Sequence, residues 1–135
     1  MKKLILIVVI GFLFVTQSFA QSATTIPLAV GDTVVNSGTA SKTISSTGGY
    51  AGVVITPIIT KQSGTIAGTV ILYESIDGTN YKSTGDTLTL GNTADNRTSW
   101  HKTSPLNVYY KITSAGSGTM AGLFTVKYVF RKYQN

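Results

Sequence analysis

Five acidic side chains and one histidine are the groups of this chain that most readily suggest acid–base chemistry. The acids are Asp32, Glu74, Asp77, Asp86 and Asp95. Hydrolysis by paired carboxylates needs two acids held across a cleft. Three of the acids stand beside a glycine, in turns where aspartate is favoured for its geometry. Glu74 lies within the central strand and is the one acid that could act in catalysis, but the favoured interpretation is an outward-facing strand residue paired with a lysine.

The single histidine, His101, follows the single tryptophan, Trp100. A Ser-His-Asp arrangement would have to use His101, and no nucleophile motif surrounds it. With one histidine and no cysteine, the chain lacks the usual ligand set of a zinc site. The oxygen-rich residues near Asp77 and Asp95 do not have the spacing of a dedicated calcium loop. We therefore predict that the protein is not an enzyme and that it has no metal or cofactor.

Three aromatic residues are candidates for ligand binding: Trp100, Tyr109 and Tyr133. Flat aromatic rings flanked by polar loop residues can stack against sugars. The sequence thus allows a glycan site at these residues. The alternative is that Trp100 caps the hydrophobic core, as a single tryptophan in a β-sandwich commonly does.

The charge of the chain is mildly positive. The formal net charge is +6, and it falls to +4 without Lys2 and Lys3. An anionic surface such as lipid headgroups, acidic glycan or nucleic acid could attract such a chain, and lysines scattered over a solvated face explain the charge equally well. A basic cluster near the C-terminus comprises Lys127, Arg131 and Lys132, but strand alternation places Lys132 on the opposite face. We predict no nucleic-acid partner.

The first twenty residues have the pattern of a secretory signal peptide. Lys2 and Lys3 precede an apolar run from Leu4 to Val15, and small residues stand at the last and third-last positions before a cut after Ala20. About a dozen apolar residues fall short of the roughly 20 that a membrane-spanning helix needs. The prediction is a signal peptide at 1–20 and one soluble domain at 21–135, without a membrane span, that is secreted or remains in the periplasm.

The rest of the chain has the pattern of an all-β protein. The stretch from Ser63 to Ile76 contains an apolar, β-branched run and leads to Asp77-Gly78, which predicts a central strand that enters a tight hairpin. Further strand patterns follow at close spacing and no helical periodicity is present. We predict one antiparallel β-sandwich, Ig-like or jelly-roll-like, with about 7–9 short strands. In the strand that begins at Tyr50, Pro57 should force a bulge or a break.

A short phrase occurs three times. Gly64-Thr65-Ile66-Ala67-Gly68 is matched by Gly118-Thr119-Met120-Ala121-Gly122 and more loosely by Gly48-Gly49-Tyr50-Ala51-Gly52. Each copy is expected to begin a strand, with a glycine turn before a large apolar residue. Similar turns recruiting similar residues, or duplication of a hairpin, would both produce this pattern.

The hairpin region resembles a pattern found in small β-sandwich proteins of tailed bacteriophage virions and bacterial surfaces. In those modules a strand ends in Ser-x-Asp-Gly-x-Asn followed by an aromatic residue, as Ser75 to Tyr81 do here. The segment Asn107–Thr113, with the loop and strand that follow, looks like their closing hairpin. The resemblance implies an Ig-like or jelly-roll-like module of a virion, fibre or surface assembly, in which Asp77, Gly78 and Asn80 form a structural turn. By carrying an export signal, this sequence differs from a typical virion component. An exported protein encoded by a phage would account for both the signal and the resemblance.

Together these observations predict a non-catalytic, exported structural or interaction module. Its partner would be copies of itself or a larger surface or virion assembly, reached in part through the uncovered strand edges of an open sandwich. The alternative is a secreted glycan-binding module centred on Trp100 and the nearby tyrosines.

Overall fold

The computed structural model describes residues 24–26, 32–46, 50–103 and 109–132. The predicted signal peptide and Tyr133 lie outside this part of the chain. The described residues form ten strands: β1 (Thr24–Thr25), β2 (Thr33–Val35), β3 (Thr39–Ser45), β4 (Tyr50–Ser63), β5 (Gly68–Ser75), β6 (Lys82–Leu90), β7 (Asp95–Arg97), β8 (Trp100–Thr103), β9 (Tyr109–Gly116) and β10 (Ala121–Lys132). They contain no helix, so none that could cross a membrane.

The strands form two antiparallel sheets that pack as a β-sandwich. In sheet A, β10 and β4 pair along their length; β1 and β2 follow one another along the free side of β10, and β7 and β8 along the free side of β4. Sheet B has the order β3-β9-β5-β6. The predicted fold class is confirmed, with ten strands where about 7–9 were expected.

The core lies between the sheets and follows from alternation along each strand. In β10, Phe124 and Val126 are fully buried, and Tyr128 and Phe130 continue the same face and pack against the core. The matching inward side chains on the other long strands are Val53, Ile55 and Ile59 in β4, Val70 and Leu72 in β5, and Tyr110 and Ile112 in β9. The terminal strand therefore has the inward face that its alternating pattern predicts.

Pro57 neither breaks its strand nor shifts its register, so the predicted bulge or break is wrong. The residue lies opposite Val126 within the continuous strand β4. The carbonyl of Val126 accepts a hydrogen bond from the Ile26 amide on the other side of β10, so Val126 and Pro57 form a non-hydrogen-bonded pair. The missing N–H of Pro57 thus faces the gap between β8 and β7. No ladder hydrogen bond is lost there.

Two copies of the repeated phrase meet at one end of the sandwich. The first joins β4 to β5 and crosses from sheet A to sheet B, and the second joins β9 to β10 and crosses back. Ile66 and Met120, at equivalent positions, are both buried. The amide of Thr65 donates a hydrogen bond to Thr119 Oγ1 at 3.4 Å. The repeat therefore marks two crossing turns that close the same end of the core. The third copy falls partly outside the described residues.

Candidate functional site

Each of the four aspartates is engaged in a local or ion-pair contact. Asp32, immediately before β2, lies between the sheets, where its Oδ2 is 2.6 Å from Lys42 Nζ. Asp86 in β6 pairs with Lys102 of β8, and Asp95 pairs with Arg97 at 2.9 Å on the surface. Asp77 accepts hydrogen bonds within its own loop. These contacts hold the acids at separate places, so the arrangement has no carboxylate pair across a cleft.

The Asp86–Lys102 pair links the edge strand of sheet B to the edge of sheet A. Burial raises the pKa of Asp86, but hydrogen bonds from Lys102 and Thr84 and the charge of Lys102 outweigh it, and the pKa lies below its ordinary value. The carboxylate therefore stays ionised and keeps the two edges together.

Glu74 lies opposite Tyr110 of β9 and Lys82 of β6 in the ladders of sheet B. Directly opposed residues share a face, and Tyr110 is fully buried, so Glu74 faces the space between the sheets. The expectation of an outward-facing glutamate is wrong. Burial, and secondarily the charge of Glu74, raise the pKa of the Tyr110 hydroxyl. Glu74 is thus a half-buried acid at the end of the core, remote in the ladder from any histidine.

His101 and Trp100 point to opposite sides of sheet A. Trp100 lies opposite Ile55 and is 7% exposed, whereas His101 lies opposite Val54 and is exposed. Trp100 therefore caps the core, and its ring is not an open platform for a sugar. Over the described part of the chain, no three histidine or acidic side chains are grouped so that they could hold a metal ion.

The loop of residues 76–81 between β5 and β6 is organised by the Asp77 carboxylate. Its Oδ1 accepts hydrogen bonds from the Thr79 and Asn80 amides, each at 2.8 Å, and from Ser75 Oγ at 2.7 Å; its Oδ2 accepts one from Asn80 Nδ2 at 2.7 Å. Led by the Asn80 amide and the Ser75 hydroxyl, these donors hold the pKa of Asp77 well below its usual range. Gly78 has a φ of 73°. The loop has six residues, so the predicted tight hairpin is wrong.

Tyr109 is half-buried beside this loop. A Cβ atom at Gly78 would lie 3.3 Å from the Tyr109 ring, so the loop packs directly on it. The structure thus places Tyr109 and the residues of the Asp77 turn together, and it places Trp100 elsewhere, in the other sheet. Tyr133 lies outside the described residues.

A second aromatic group lies on the outer side of sheet B, and sequence reasoning missed it. Lys111 Nζ is 4.2 Å from the centroid of the Tyr81 ring and 5.5 Å from that of Tyr73. Tyr73 and Lys111 are opposite each other in the β5–β9 ladder. Alternation alone puts both on the outer face, but only the pairing of β5 with β9 makes them neighbours.

Much of the rest of that outer face is lined by hydroxyl groups around the half-buried Ile71, and we call it the hydroxyl face. It comprises Thr39, Ser41, Thr43, Thr69, Thr87, Thr89 and Thr113, which alternate with the inward side chains of their strands. Ser41 Oγ and Thr113 Oγ1 are 2.9 Å apart. Such a surface can exchange hydrogen bonds with a polyhydroxylated ligand.

The outer side of sheet A is different, because aliphatic side chains alternate there with threonines. We call it the aliphatic face. It comprises Val35, Val54, Ile58, Leu123 and Val129, of which Val35 is 49% exposed and the others are partly exposed. Thr125 lies opposite Ile58, and Val129 opposite Val54, and between these two rows Lys127 lies opposite Thr56, so the aliphatic side chains form two groups on this face of β10 and β4. Lys127 and Arg131 lie on the same face, on either side of Val129 along β10, and are exposed.

The structure is similar to that of the Yersinia pseudotuberculosis-derived mitogen, with a TM-score of 0.56. The likeness covers 86% of this chain and 92% of the mitogen chain, at 8% sequence identity. At this identity it shows the β-sandwich fold alone. No protein-family model matches the chain, and no curated protein matches it. The resemblance of the Asp77 hairpin to phage and bacterial-surface modules therefore stays a prediction.

Proposed function

We propose that the protein is a non-catalytic, exported interaction module that associates through the aliphatic face with a second copy of itself. The observation that carries this proposal is the set of partly exposed valine, isoleucine and leucine side chains on the outer side of β2, β10 and β4. Exposed apolar side chains that gather on one face of a protein can mark an interaction site. Two flat sheet faces can pack against each other at about 10 Å, as the sheets of a sandwich do.

The two edge strands of sheet B are poorly suited to association. Edge strand β6 is interrupted where residues 84–86 stand against a single residue of β5, with Gly85 at a φ of 85°. Edge strand β3 is regular but carries an inward-facing Lys42. Bulges and inward charges are devices that discourage edge-to-edge pairing. For sheet B these features disfavour edge addition, which is compatible with association through the outer face of sheet A.

The absence of catalysis is part of the proposal. The aspartates hold Lys42, Lys102, Arg97 and the 76–81 loop, and His101 lies apart from them on the outside of sheet A. A general acid or base must lie within hydrogen-bond reach of its partner and substrate. These acids instead support the fold, which favours a binding role.

The test is the mass of the purified protein in solution over a concentration series at low and high salt. We expect a dimer that strengthens with salt, because association brings Lys127 and Arg131 of two copies close together and salt screens like charges. Ile58→Lys should leave a monomer. The matched control, Ile71→Lys on the opposite face, should still associate. A wild-type monomer at every concentration and salt would overturn the proposal.

Export is tested separately, by expressing the full chain with its own N-terminus. The predicted signal peptide requires the exported product to begin at Gln21. N-terminal sequencing of the secreted or periplasmic fraction gives the answer. Retention of Met1 in an intracellular product would refute the export part of the proposal without affecting the association test.

Glycan binding is a second candidate function, and a different observation favours it. Tyr73, Tyr81 and Tyr109 are half-buried tyrosines gathered at one end of the hydroxyl face. Tyrosine combines an apolar ring with a polar tip, which suits a sugar that has an apolar and a polar side. In this candidate function the sugar-binding site lies on the outside of sheet B, whereas sequence analysis centred it on Trp100. Loss of binding to a glycan panel in Tyr81→Ala, with binding retained in Lys127→Ala, would support it; unchanged binding in Tyr81→Ala would contradict it.

A further inference from the structure

On the outer side of sheet B, the ammonium of a lysine is held against two tyrosine rings. We infer that Lys111, Tyr73 and Tyr81 form a binding site for an acidic sugar, a pyranose ring that carries a carboxylate. This inference rests on the glycan-binding candidate and is independent of the aliphatic face. It specifies the chemical class of the ligand and the residue that selects it.

The charge of Lys111 points to an anionic ligand. The ion pairs formed within the described part of the chain use Lys42, Arg97 and Lys102 as their cations, and Lys111 is not among them. Its ammonium lies over the rings of Tyr81 and Tyr73. A ring face attracts a cation through its quadrupole but carries no net charge that could neutralise it. The ammonium therefore remains available to a carboxylate.

The site is built on elements that hold it in place. Lys111 and Tyr73 are cross-strand neighbours in the two central strands of sheet B. Tyr81 is positioned by the loop that Asp77 organises, and that loop packs on Tyr109 through Gly78. The Asp77 carboxylate is directed at donors of its own loop, which limits its repulsion of a nearby anion. A preorganised site loses less conformational entropy when it binds a ligand.

The surroundings of Lys111 favour a sugar over a simple anion. Thr43, Lys111, Tyr73 and Ser83 form one row across the four strands of sheet B, with neighbouring positions about 4.8 Å apart. The hydroxyl groups of Thr43 and Ser83 are exposed and can exchange hydrogen bonds with sugar hydroxyls. The tyrosine rings offer apolar surface to the face of a pyranose. A row of this composition fits one edge of an oligosaccharide chain.

The experiment compares an acidic sugar with its neutral methyl ester, in which each carboxylate carries a methyl group. Trigalacturonic acid and its fully methyl-esterified form are titrated into the purified protein by calorimetry, with 3′-sialyllactose as a second acidic sugar and sodium acetate as a carboxylate without a ring. We expect at least one acidic sugar to bind and acetate not to bind measurably. If trigalacturonic acid binds, its methyl ester should bind at least about tenfold more weakly. Binding of the acidic sugar should weaken as salt is raised.

Substitutions at Lys111 test whether its charge is responsible for the preference for an acidic sugar. Lys111→Met should weaken binding of the acidic sugar by about tenfold, Lys111→Arg should largely restore it, and Lys127→Met on the other sheet should change nothing. Thermal unfolding of each variant checks the fold. If acid and ester bind equally and Tyr81→Ala abolishes both, the glycan-binding candidate stands and the acidic-sugar inference is overturned. If no sugar of either kind binds, both are overturned.

Discussion

The ammonium of Lys42 lies 2.6 Å from the Asp32 carboxylate in the interior of the sandwich, and both side chains are less than a tenth exposed. Lys42 extends inward from β3 in sheet B, between Ala40 and Ile44, and Asp32 stands at the start of β2 in sheet A. The pair therefore ties the two sheets together at one edge. From sequence, Asp32 was interpreted as a turn residue, because glycine precedes it.

Removing one partner of this buried pair should strongly destabilise the protein. Lys42→Met leaves the Asp32 charge without its cation, and we expect the free energy of unfolding to fall by about 3–5 kcal/mol. Urea unfolding measures the change. Arg97→Gln is the matched control because its ion pair with Asp95 is exposed, and it should cost less than about 1 kcal/mol. Equal effects of the two substitutions would show that the Lys42–Asp32 pair does not have this role.

The 76–81 loop should make stability depend on acid pH. Its hydrogen bonds lower the folded-state pKa of Asp77, whereas in the unfolded chain an aspartate titrates near pH 4. The stabilisation is therefore complete above about pH 4 and is lost as the pH falls toward the folded-state value. Asp77→Asn should be less stable than the wild type at pH 7, and the difference should shrink at pH 3. Urea unfolding at both pH values tests this.

Thr79→Ala is the control for the pH experiment. It retains the backbone amide that donates to Asp77, so its stability should change with pH as the wild type does. A difference between Asp77→Asn and the wild type that is the same at both pH values would contradict the assignment.

Two equivalent glycines of the repeated phrase should respond differently to alanine. Gly64 and Gly118 both have a positive φ, 68° and 77°. A Cβ atom at Gly64 would collide with the Thr119 carbonyl oxygen, whereas at Gly118 the nearest atom, the Thr65 carbonyl oxygen, is 3.7 Å away. Gly118→Ala should therefore cost only the left-handed backbone strain, about 1–2 kcal/mol. Gly64→Ala should cost more, since backbone must move as well, and thermal unfolding of both variants ranks them. The reverse order would contradict this account.

Ser114 should be more stable as alanine. Its Oγ is fully buried and has no hydrogen-bond partner within the described residues. The side chain lies between Ala40 and Val70 in sheet B, where a methyl group fits. Removing an unsatisfied buried hydroxyl should raise the free energy of unfolding by about 1 kcal/mol.

Ser75→Ala provides the contrast for this prediction. The Ser75 hydroxyl donates to Asp77 and accepts from the Gly78 amide, so its removal should lower the free energy of unfolding by about 1 kcal/mol. Loss of stability in both serine variants would show that Ser114 Oγ is satisfied.

Pro57 is a residue whose structural effect could not be predicted from its neighbours in sequence. The sequence correctly indicated a buried strand around this residue, and a proline within it predicted a break. Whether a proline disrupts a sheet depends on which side of the strand its missing N–H faces and on what lies there. That side is the gap between β8 and β7, and their positions depend on contacts made about 40 residues further along the chain.

The sequence by itself determined the fold class and most of the inward faces, because alternation is a local property that each strand carries in its own residues. Alternation along β10 puts Phe124, Val126, Tyr128 and Phe130 on one face, and these four residues form or pack against the core. Only the tertiary structure decided which strands are neighbours. Alternation specifies a face but not a partner, so the pairing of β5 with β9 that brings Tyr73 to Lys111, and the sheet packing that joins Asp32 to Lys42, follow from contacts distant in sequence.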